Sequence, residues 1–449
     1  MQKVDFKKYL GNPFLCVCGR EHVCAVEDII IGERVLEQLP EVLAKYNYKN
    51  ICVVADVNTE KAAGVKIHDI LDQNNIIYQK LIFPDKFLIP DEQAIGKMTI
   101  ELDRNCDLII AIGSGTINDI CKYMSYRLKI DYFIIATAPS MDGYASNVAP
   151  LIINHTKITM EVGMPKIIMA DLEILCQAPM EMIAAGVGDV LGKYICLMDW
   201  KLAHIIKDEY YCNYVVELVT GAIEKVTAAS DKLVKRDKAA ICSVMEALIL
   251  SGIGMSYIGN SRPASGSEHH LSHYWEMMAL LDGKKIQLHG TKVAIGTIIC
   301  LQLYKFVRES IETETQKMNP TPIFDIEEWK KQIHKVYGNA AESVIELEKK
   351  VGKNSTSSVE LERSSLEKQE KAICEEIRKL PSTESLIEIL CSMDAKILPG
   401  QVEVDNQILA NSIWYAKDLR NRFGLLQLLY DLDLQEAAVQ YIEKWMKME

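Results

Sequence analysis

Basic residues are in deficit: Lys and Arg number 50 against 62 Asp and Glu in 449 residues, a formal net charge of −12. That balance excludes a broad electrostatic footprint on nucleic acid or anionic lipid, so an anionic substrate must meet a local positive site. Proline and glycine are sparse, at 13 and 24, while 49% of residues are hydrophobic; together these exclude a disordered or collagen-like chain. The N-terminus, MQKVDFKKYL, has neither an apolar segment nor a small-residue cleavage site, and no secretory signal is expected. No stretch reads as a membrane span. The longest weakly polar one, Ala239 to Gly259, carries Glu246 and several Ser and Gly, which suits a buried helix and a turn better. There is no repeat of fixed period and no low-complexity tract. The 13 cysteines are spread from Cys16 to Cys391 and often sit in apolar runs, as at Cys52, Cys196 and Cys300. They read as buried thiols of a reducing, cytoplasmic compartment rather than as a disulfide framework.

At about 150 residues per domain, the length suggests two or three domains. Short β-branched runs at Asn50–Ala55, Ile76–Leu81, Asp107–Ile112 and Tyr132–Ala136 alternate with amphipathic stretches at Glu60–Gln73 and Asp91–Asp103. This alternation implies βαβ units and a mostly parallel, Rossmann-like sheet. Strand signal fades near Pro179. Helical patterns follow at Glu181–Ile206, Tyr210–Ser230, Asp237–Ser251, Leu271–Leu281 and Lys292–Ser310. A two-proline stretch, Thr313–Pro322, leads into Ile326–Leu380, rich in Glu and Lys, which reads as a pair of solvated helices with a polar turn at Lys353–Ser358. Pro399-Gly400 marks another turn, and Asn406–Met448 returns to amphipathic helix. The expected architecture is an α/β nucleotide-binding domain over 1–179, an all-helical domain over 180–449, and an active site in the cleft between them.

Four segments could carry chemistry. A buried strand enters Gly113-Ser114-Gly115 and then a helix, which lets backbone N–H groups face a phosphate; a purely structural turn accounts for it equally, and it is not the spaced GxGxxG fingerprint. Asp56, ending an earlier strand, could accept a ribose hydroxyl or simply cap the next helix. Thr137-Ala-Pro-Ser140-Met-Asp142-Gly-Tyr-Ala-Ser146 suits a cofactor lining, or a plain polar loop. Of only nine His, four fall between 269 and 289, at His269, His270, His273 and His289. With Asp189 they supply enough ligands for a three-coordinate metal with open positions. Two imidazoles and a carboxylate suit Zn²⁺, Ni²⁺ or Fe²⁺. A further group, Cys16-Val-Cys18-Gly-Arg-Glu-His22-Val-Cys24, fits no tetrahedral knuckle and has no second CxxC pair after it, so it reads as an unmetallated turn.

The strings GSGTINDICKYMSYRL, TAPSMDGYAS, ADLEIL, AGVGDVLGKYICLMDWKLA, SRPASGSEHHLSHYWEM and LHGTKVAIGT resemble the glycerol-1-phosphate dehydrogenases. These belong to the iron-dependent alcohol dehydrogenase and dehydroquinate synthase superfamily. The likeness is close over roughly residues 12 to 305. It implies reversible, NAD(P)H-dependent reduction of dihydroxyacetone phosphate to sn-glycerol 1-phosphate. By the same likeness, Asp189, His269 and His289 hold one divalent metal, zinc or nickel rather than iron. Asp142 and His273 contact substrate, with Asp189 beside it, and His273 carries the proton. Gly113, Ser114, Gly115, Thr116, Ile117, Thr137, Ala138, Pro139, Ser140 and Ser146 line NAD(H) or NADP(H), with Asp56 at the adenosine ribose. Many alcohol dehydrogenases of the superfamily carry His where this chain has Lys193; one helical turn from Asp189, Lys193 is the candidate for the substrate phosphate, with Arg262 as the substitute. A homodimer is expected, without nucleic-acid partners or stable membrane insertion. The rival readings are a glycerol or polyol dehydrogenase on the same scaffold, and a catalytically silent nucleotide-binding protein.

Overall fold

Apolar runs of five or six residues, bounded by polar ones, form the strands that the alternating pattern predicts. The computed structural model describes residues 3–153, 156–314 and 319–448. Ten strands are β1 (Phe14–Leu15), β2 (Glu21–His22), β3 (Asp28–Gly32), β4 (Ile51–Asp56), β5 (Tyr78–Phe83), β6 (Leu108–Gly113), β7 (Asp131–Ala136), β8 (Val148–Ile153), β9 (Thr156–Glu161) and β10 (Ile167–Asp171). Six of them make one sheet in the order β3-β10-β7-β6-β4-β5, and every pairing in it is parallel. Its central strands are buried along their whole length, as in β6, where all six residues are covered. That is why they read as continuous apolar runs rather than as alternation. Val53, Ile110, Ile112, Phe133, Ile135 and Met169 share one core with Leu36, Leu39, Ile67 and Leu71.

The site is carried by six helices: α1 (Gly115–Leu128), α2 (Met180–Lys207), α3 (Asn213–Thr227), α4 (Lys238–Ile258), α5 (Ser267–Leu281) and α6 (His289–Glu312). The chain divides into two compact units, Met1–Val190 with Glu217–Ser261, and Leu191–Val216 with Arg262–Glu449. The sequence division at 179/180 differs, because α2 and α3 each run unbroken through a boundary.

Several expectations shift. The strand expected at Ile76–Leu81 is β5, two residues later, because Ile76 and Ile77 precede it in an irregular segment. Strands β3 and β10 and the β8–β9 hairpin carried no recognised signal. The pair of solvated helices at 326–380 is three helices, Ile326–Tyr337, Ala341–Val351 and Thr356–Ile377. Its polar turn is not solvated: Lys353 and Asn354 are buried. Asn354 donates to Asp418 at 2.9 Å, and Lys353 donates to the Arg420 carbonyl at 2.9 Å, so paired polar groups replace water there. Of the Thr313–Pro322 stretch, residues 315–318 lie outside the described residues. Helices α4 and α6 are long and apolar enough to cross a membrane, yet 89% and 83% of their apolar windows are buried within the protein.

Candidate active site and metal centre

From β4 the chain passes to β5 on one side and later to β6 on the other. The carboxyl ends of β4 and β6 therefore flank the point where the strand order reverses, the place where open α/β sheets receive ligands. Asp56 closes β4 and Gly113 closes β6. A Cβ on Gly113 would lie 2.6 Å from Ile117 Cβ, so only glycine lets the strand turn this tightly into α1; Gly115 has room, its nearest neighbour being Met141 at 3.6 Å. Ser114, Thr116 and Ile117 frame the helix start, whose N–H groups and positive dipole end suit an anion. Asp56 is occupied as a cap. Its Oδ1 accepts from Asn58 N–H at 2.7 Å and Thr59 N–H at 2.9 Å, and its own N–H donates to Thr59 Oγ1 at 3.0 Å.

Thr137 N–H donates to the Gly113 carbonyl at 3.1 Å, tying the 137–146 loop to the glycine turn. Thr137, Ala138, Pro139 and Ser140 are buried. A Cβ on Gly186 would fall 1.7 Å from the Pro139 carbonyl oxygen, and one on Gly252 2.9 Å from Ala145. These two glycines let α2 and α4 press directly on the loop. Tyr144 closes it by donating to the Ala138 carbonyl at 2.6 Å.

Sequence reasoning missed Lys122. Its buried ammonium donates to the Gly143 carbonyl at 2.7 Å, to Ser146 Oγ at 3.1 Å and to the Val148 carbonyl at 3.0 Å. Burial pushes the Lys122 ammonium below its ordinary value and the neighbouring Asp119 carboxyl above it. Ser146 thus has its hydroxyl engaged inside the loop rather than presented to a ligand. A lysine between Cys121 and Met124 on a buried helix was the available signal.

Asp189 lies on α2, His269 in the first turn of α5, and His289 opens α6. The His269 and His289 rings stand 5.1 Å apart, centre to centre. Asp189 is a buried residue of α2. Its Oδ2 accepts from Asp142 N–H at 3.0 Å, and Asp142 Oδ2 accepts from Ser251 Oγ at 3.1 Å. Ser251 and Glu268 are further residues that sequence reasoning missed. Glu268 Oε1 lies 2.6 Å from His269 Nδ1 and also accepts from Gly266 N–H at 2.9 Å. A carboxylate accepts, so Nδ1 holds the proton and His269 Nε2 keeps its lone pair for a metal. Close packing holds these helices in register: a Cβ on Gly192 would lie 2.7 Å from Val293, one on Gly296 2.6 Å from the Glu268 carbonyl oxygen, and one on Gly266 2.9 Å from Asp199. His273, one turn after His269, stacks on His289 at 5.6 Å and meets His269 edge-on at 5.8 Å. The three imidazoles thus form one group. The residues of α5 and α6 suit a divalent cation: two imidazoles stand side by side, and the tautomer of one ring is set for coordination.

The iron-containing alcohol dehydrogenase family matches residues 30–179. Over 422 residues the chain is 34% identical to the glycerol-1-phosphate dehydrogenase (NAD(P)+) of Geobacillus stearothermophilus, covering 93% of this chain and 96% of that one. The chain belongs to the glycerol-1-phosphate dehydrogenase family. A second member, from Halalkalibacterium halodurans, is 38% identical over 303 residues, 66% of this chain and 76% of the relative. Among solved structures, the glycerol dehydrogenase of Schizosaccharomyces pombe superposes with a TM-score of 0.60 at 16% identity, covering 94% of this chain and 91% of that one. The butanol dehydrogenase A of Thermotoga maritima does so with 0.59 at 13%, covering 93% and 97%. These show the fold: a parallel-sheet N-terminal domain with a helical C-terminal part.

In this glycerol-1-phosphate dehydrogenase family member the cationic candidates differ sharply in their surroundings. Lys193 is buried, and its ammonium donates to the Ala264 carbonyl at 3.0 Å. Arg262 is engaged by Glu209, with Nε 2.6 Å from Oε1 and a second guanidinium bond alongside, and it also donates to the Phe423 carbonyl at 2.9 Å. Its guanidinium is paired with that carboxylate. Arg422 donates to the Ser265 carbonyl at 2.9 Å. Burial, with Arg262 and Arg420 beside it, pushes its guanidinium down to about 10.

Proposed function

We propose that this chain catalyses the reversible NAD(P)H-dependent reduction of dihydroxyacetone phosphate to sn-glycerol 1-phosphate, with Asp189, His269 and His289 holding one divalent metal ion. The pairing of the His269 and His289 rings at 5.1 Å, with the Glu268–His269 hydrogen bond fixing the first of them, is the observation that carries this reading. Zinc or nickel suits two imidazoles and a carboxylate. When bound, the cation supplies Lewis acidity toward a carbonyl oxygen and the nicotinamide supplies hydride.

The chain's own residues do the rest. The N–H groups at Gly113–Ile117 receive the cofactor's phosphates, and Thr137–Ser140 form the adjoining wall. Asp142 accepts a substrate hydroxyl while its backbone N–H keeps the Asp189 carboxylate in place. His273 gives a proton to the C2 oxygen as reduction proceeds and takes it back in the reverse direction; an imidazole is suited to both at neutral pH. Lys193 is the proposed phosphate partner.

NADH oxidation is measured with dihydroxyacetone phosphate and with dihydroxyacetone, on protein reconstituted with zinc, nickel or iron. Turnover that depends on metal and on the substrate phosphate is expected. Equal turnover of both substrates would make the chain a polyol dehydrogenase, and no turnover with any metal would make it a silent nucleotide-binding protein.

A further inference from the structure

Two helices begin with glycine where a capping side chain is usual. Gly266 precedes α5 and Gly424 precedes the helix Leu425–Asp431, and neither start is capped by its own side chain. The first N–H groups of a helix have no partner within it, and burying them unpaired is costly. One carboxylate meets both needs. Asp199, buried on α2, accepts from Ser267 N–H at 2.7 Å through Oδ2 and from Leu425 N–H at 3.0 Å through Oδ1. Ser267 Oγ donates to the same Oδ2 at 2.7 Å, and the Tyr304 hydroxyl of α6 donates to Oδ1. Each oxygen thus accepts two bonds, which suits an ionised carboxylate. All of these residues lie in the unit formed by 191–216 and 262–449.

We propose that Asp199 is a positioning residue for the metal-binding turn: by capping α5 it sets the backbone that carries Glu268 and His269, and by capping Leu425–Asp431 with the same carboxylate it ties the C-terminal part of the chain to that turn. The inference rests on the reading of His269 as a metal ligand.

The glycines complete the device. A Cβ on Gly266 would lie 2.9 Å from Asp199 Oδ2, and one on Gly424 2.7 Å from Asp199 Cγ. The carboxylate therefore occupies the space that a side chain at either helix start would need. Two positive helix ends meet one negative group, which each of them favours. Ser267 Oγ also accepts from Leu426 N–H at 3.5 Å, a second link between the two starts.

From Asp199 to the metal ligand the path is short. Ser267 is the first residue of α5 and His269 the third. His269 N–H and His270 N–H both donate to the Gly266 carbonyl, at 3.1 and 3.0 Å. Glu268 Oε1 accepts from Gly266 N–H on one side and faces His269 Nδ1 on the other. The Gly266–Ser267 backbone held by Asp199 is thus the backbone on which the Glu268–His269 bond is built, and a shift there moves the ring and its carboxylate together.

The test uses the full chain, first without metal. In Asp199→Asn the amide keeps the shape but turns an NH₂ group toward two of the four donors. Hydrogen exchange read by mass spectrometry should quicken roughly fivefold or more at both helix starts, 266–271 and 424–429, while peptides from β4 and β6 exchange as in wild type. Cobalt titration followed by visible d–d absorption comes next. Affinity should fall about tenfold in Asp199→Asn, with a shifted spectrum. Ser267→Ala removes only the hydroxyl on the α5 side; it should lower affinity in the same direction by less, and it carries the test if Asp199→Asn does not fold. Tyr304→Phe removes a donor to the same carboxylate but leaves the α5 cap, so it should lower the melting temperature with cobalt affinity unchanged. A merely structural Asp199 would lower the melting temperature in all three variants and leave cobalt affinity and spectrum as in wild type. That result overturns the proposal, as does exchange that quickens at only one helix start. Cobalt absorption that is the same in His269→Ala as in wild type would overturn the metal reading and this role with it; absorption lost in His269→Ala beside wild-type affinity in Asp199→Asn would overturn the role of Asp199 alone.

Discussion

Glu268 and His269 are adjacent in sequence and joined by a 2.6 Å hydrogen bond from ring Nδ1 to carboxylate Oε1. The bond fixes which nitrogen faces the other ligands and makes that nitrogen a better donor. Glu268→Gln keeps the shape but removes the charge behind the ring. Metal affinity, measured by competition with a chromogenic chelator, should fall about ten- to a hundred-fold, while the circular dichroism spectrum stays as in wild type. Unchanged affinity would mean that the carboxylate serves only the Gly266 turn.

Removing a ligand outright is harsher. His269→Ala, His289→Ala and Asp189→Asn should each leave a folded protein with almost no turnover, since two remaining ligands hold a cation poorly. Asp189→Asn tests a second point, because its Oδ2 also accepts from Asp142 N–H; the amide oxygen can keep that bond while coordinating weakly. Near-normal activity with stoichiometric metal in any of the three would exclude it as a ligand.

The parallel sheet, the glycine turn and the histidine cluster were legible in the sequence because each rests on a local pattern: an apolar run, a Gly-Ser-Gly after a strand, histidines crowded into 21 positions from 269 to 289. What escaped was non-local. β3 and β10 pair with each other across more than a hundred residues. Lys122 looks like an ordinary helix lysine until the loop that wraps its ammonium is in place. The buried turn at Lys353–Asn354 misled for the opposite reason: its polar composition is real, but its partners are Asp418 and the 417–420 backbone instead of water.

Lys122→Met should unsettle the 137–146 loop without touching the metal. Three acceptors lose their shared donor, and buried Asp119 loses the nearest cation that favours its ionised form. A single buried polar group left unsatisfied costs about 1–3 kcal/mol. The melting temperature should therefore drop by several degrees, and KM for NAD(P)H should rise while metal content holds. A stability loss with an unchanged KM would confine Lys122 to a structural role.

Cofactor choice turns on Asp56. A carboxylate at this strand end accepts ribose hydroxyls and repels a 2′-phosphate, so NADH is expected to serve at least as well as NADPH. Its Oδ1 also caps the following helix, and serine is a comparable cap. Asp56→Ser therefore changes the charge facing the ribose with little change in stability. The ratio of kcat/KM values should move toward NADPH; no movement would make the cap its whole role.

The substrate phosphate needs a cation in a chain of net charge −12, and Arg262 is already paired with Glu209. Lys193 stands one helical turn after Asp189 on α2, on the same face. Its ammonium donates to the Ala264 carbonyl. A charge-assisted contact is worth about 1.5–3 kcal/mol, so Lys193→Met should raise KM for dihydroxyacetone phosphate roughly ten- to a hundred-fold. Because the Ala264 carbonyl also loses a donor, the comparison that decides is with unphosphorylated dihydroxyacetone: loosening of the Ala264 turn affects both substrates, whereas loss of a phosphate contact affects one. An equal loss for both would remove Lys193 from phosphate binding and turn attention to Arg422, whose guanidinium donates to neighbouring Ser265. Arg422→Met should then show the selective rise in KM that Lys193→Met did not.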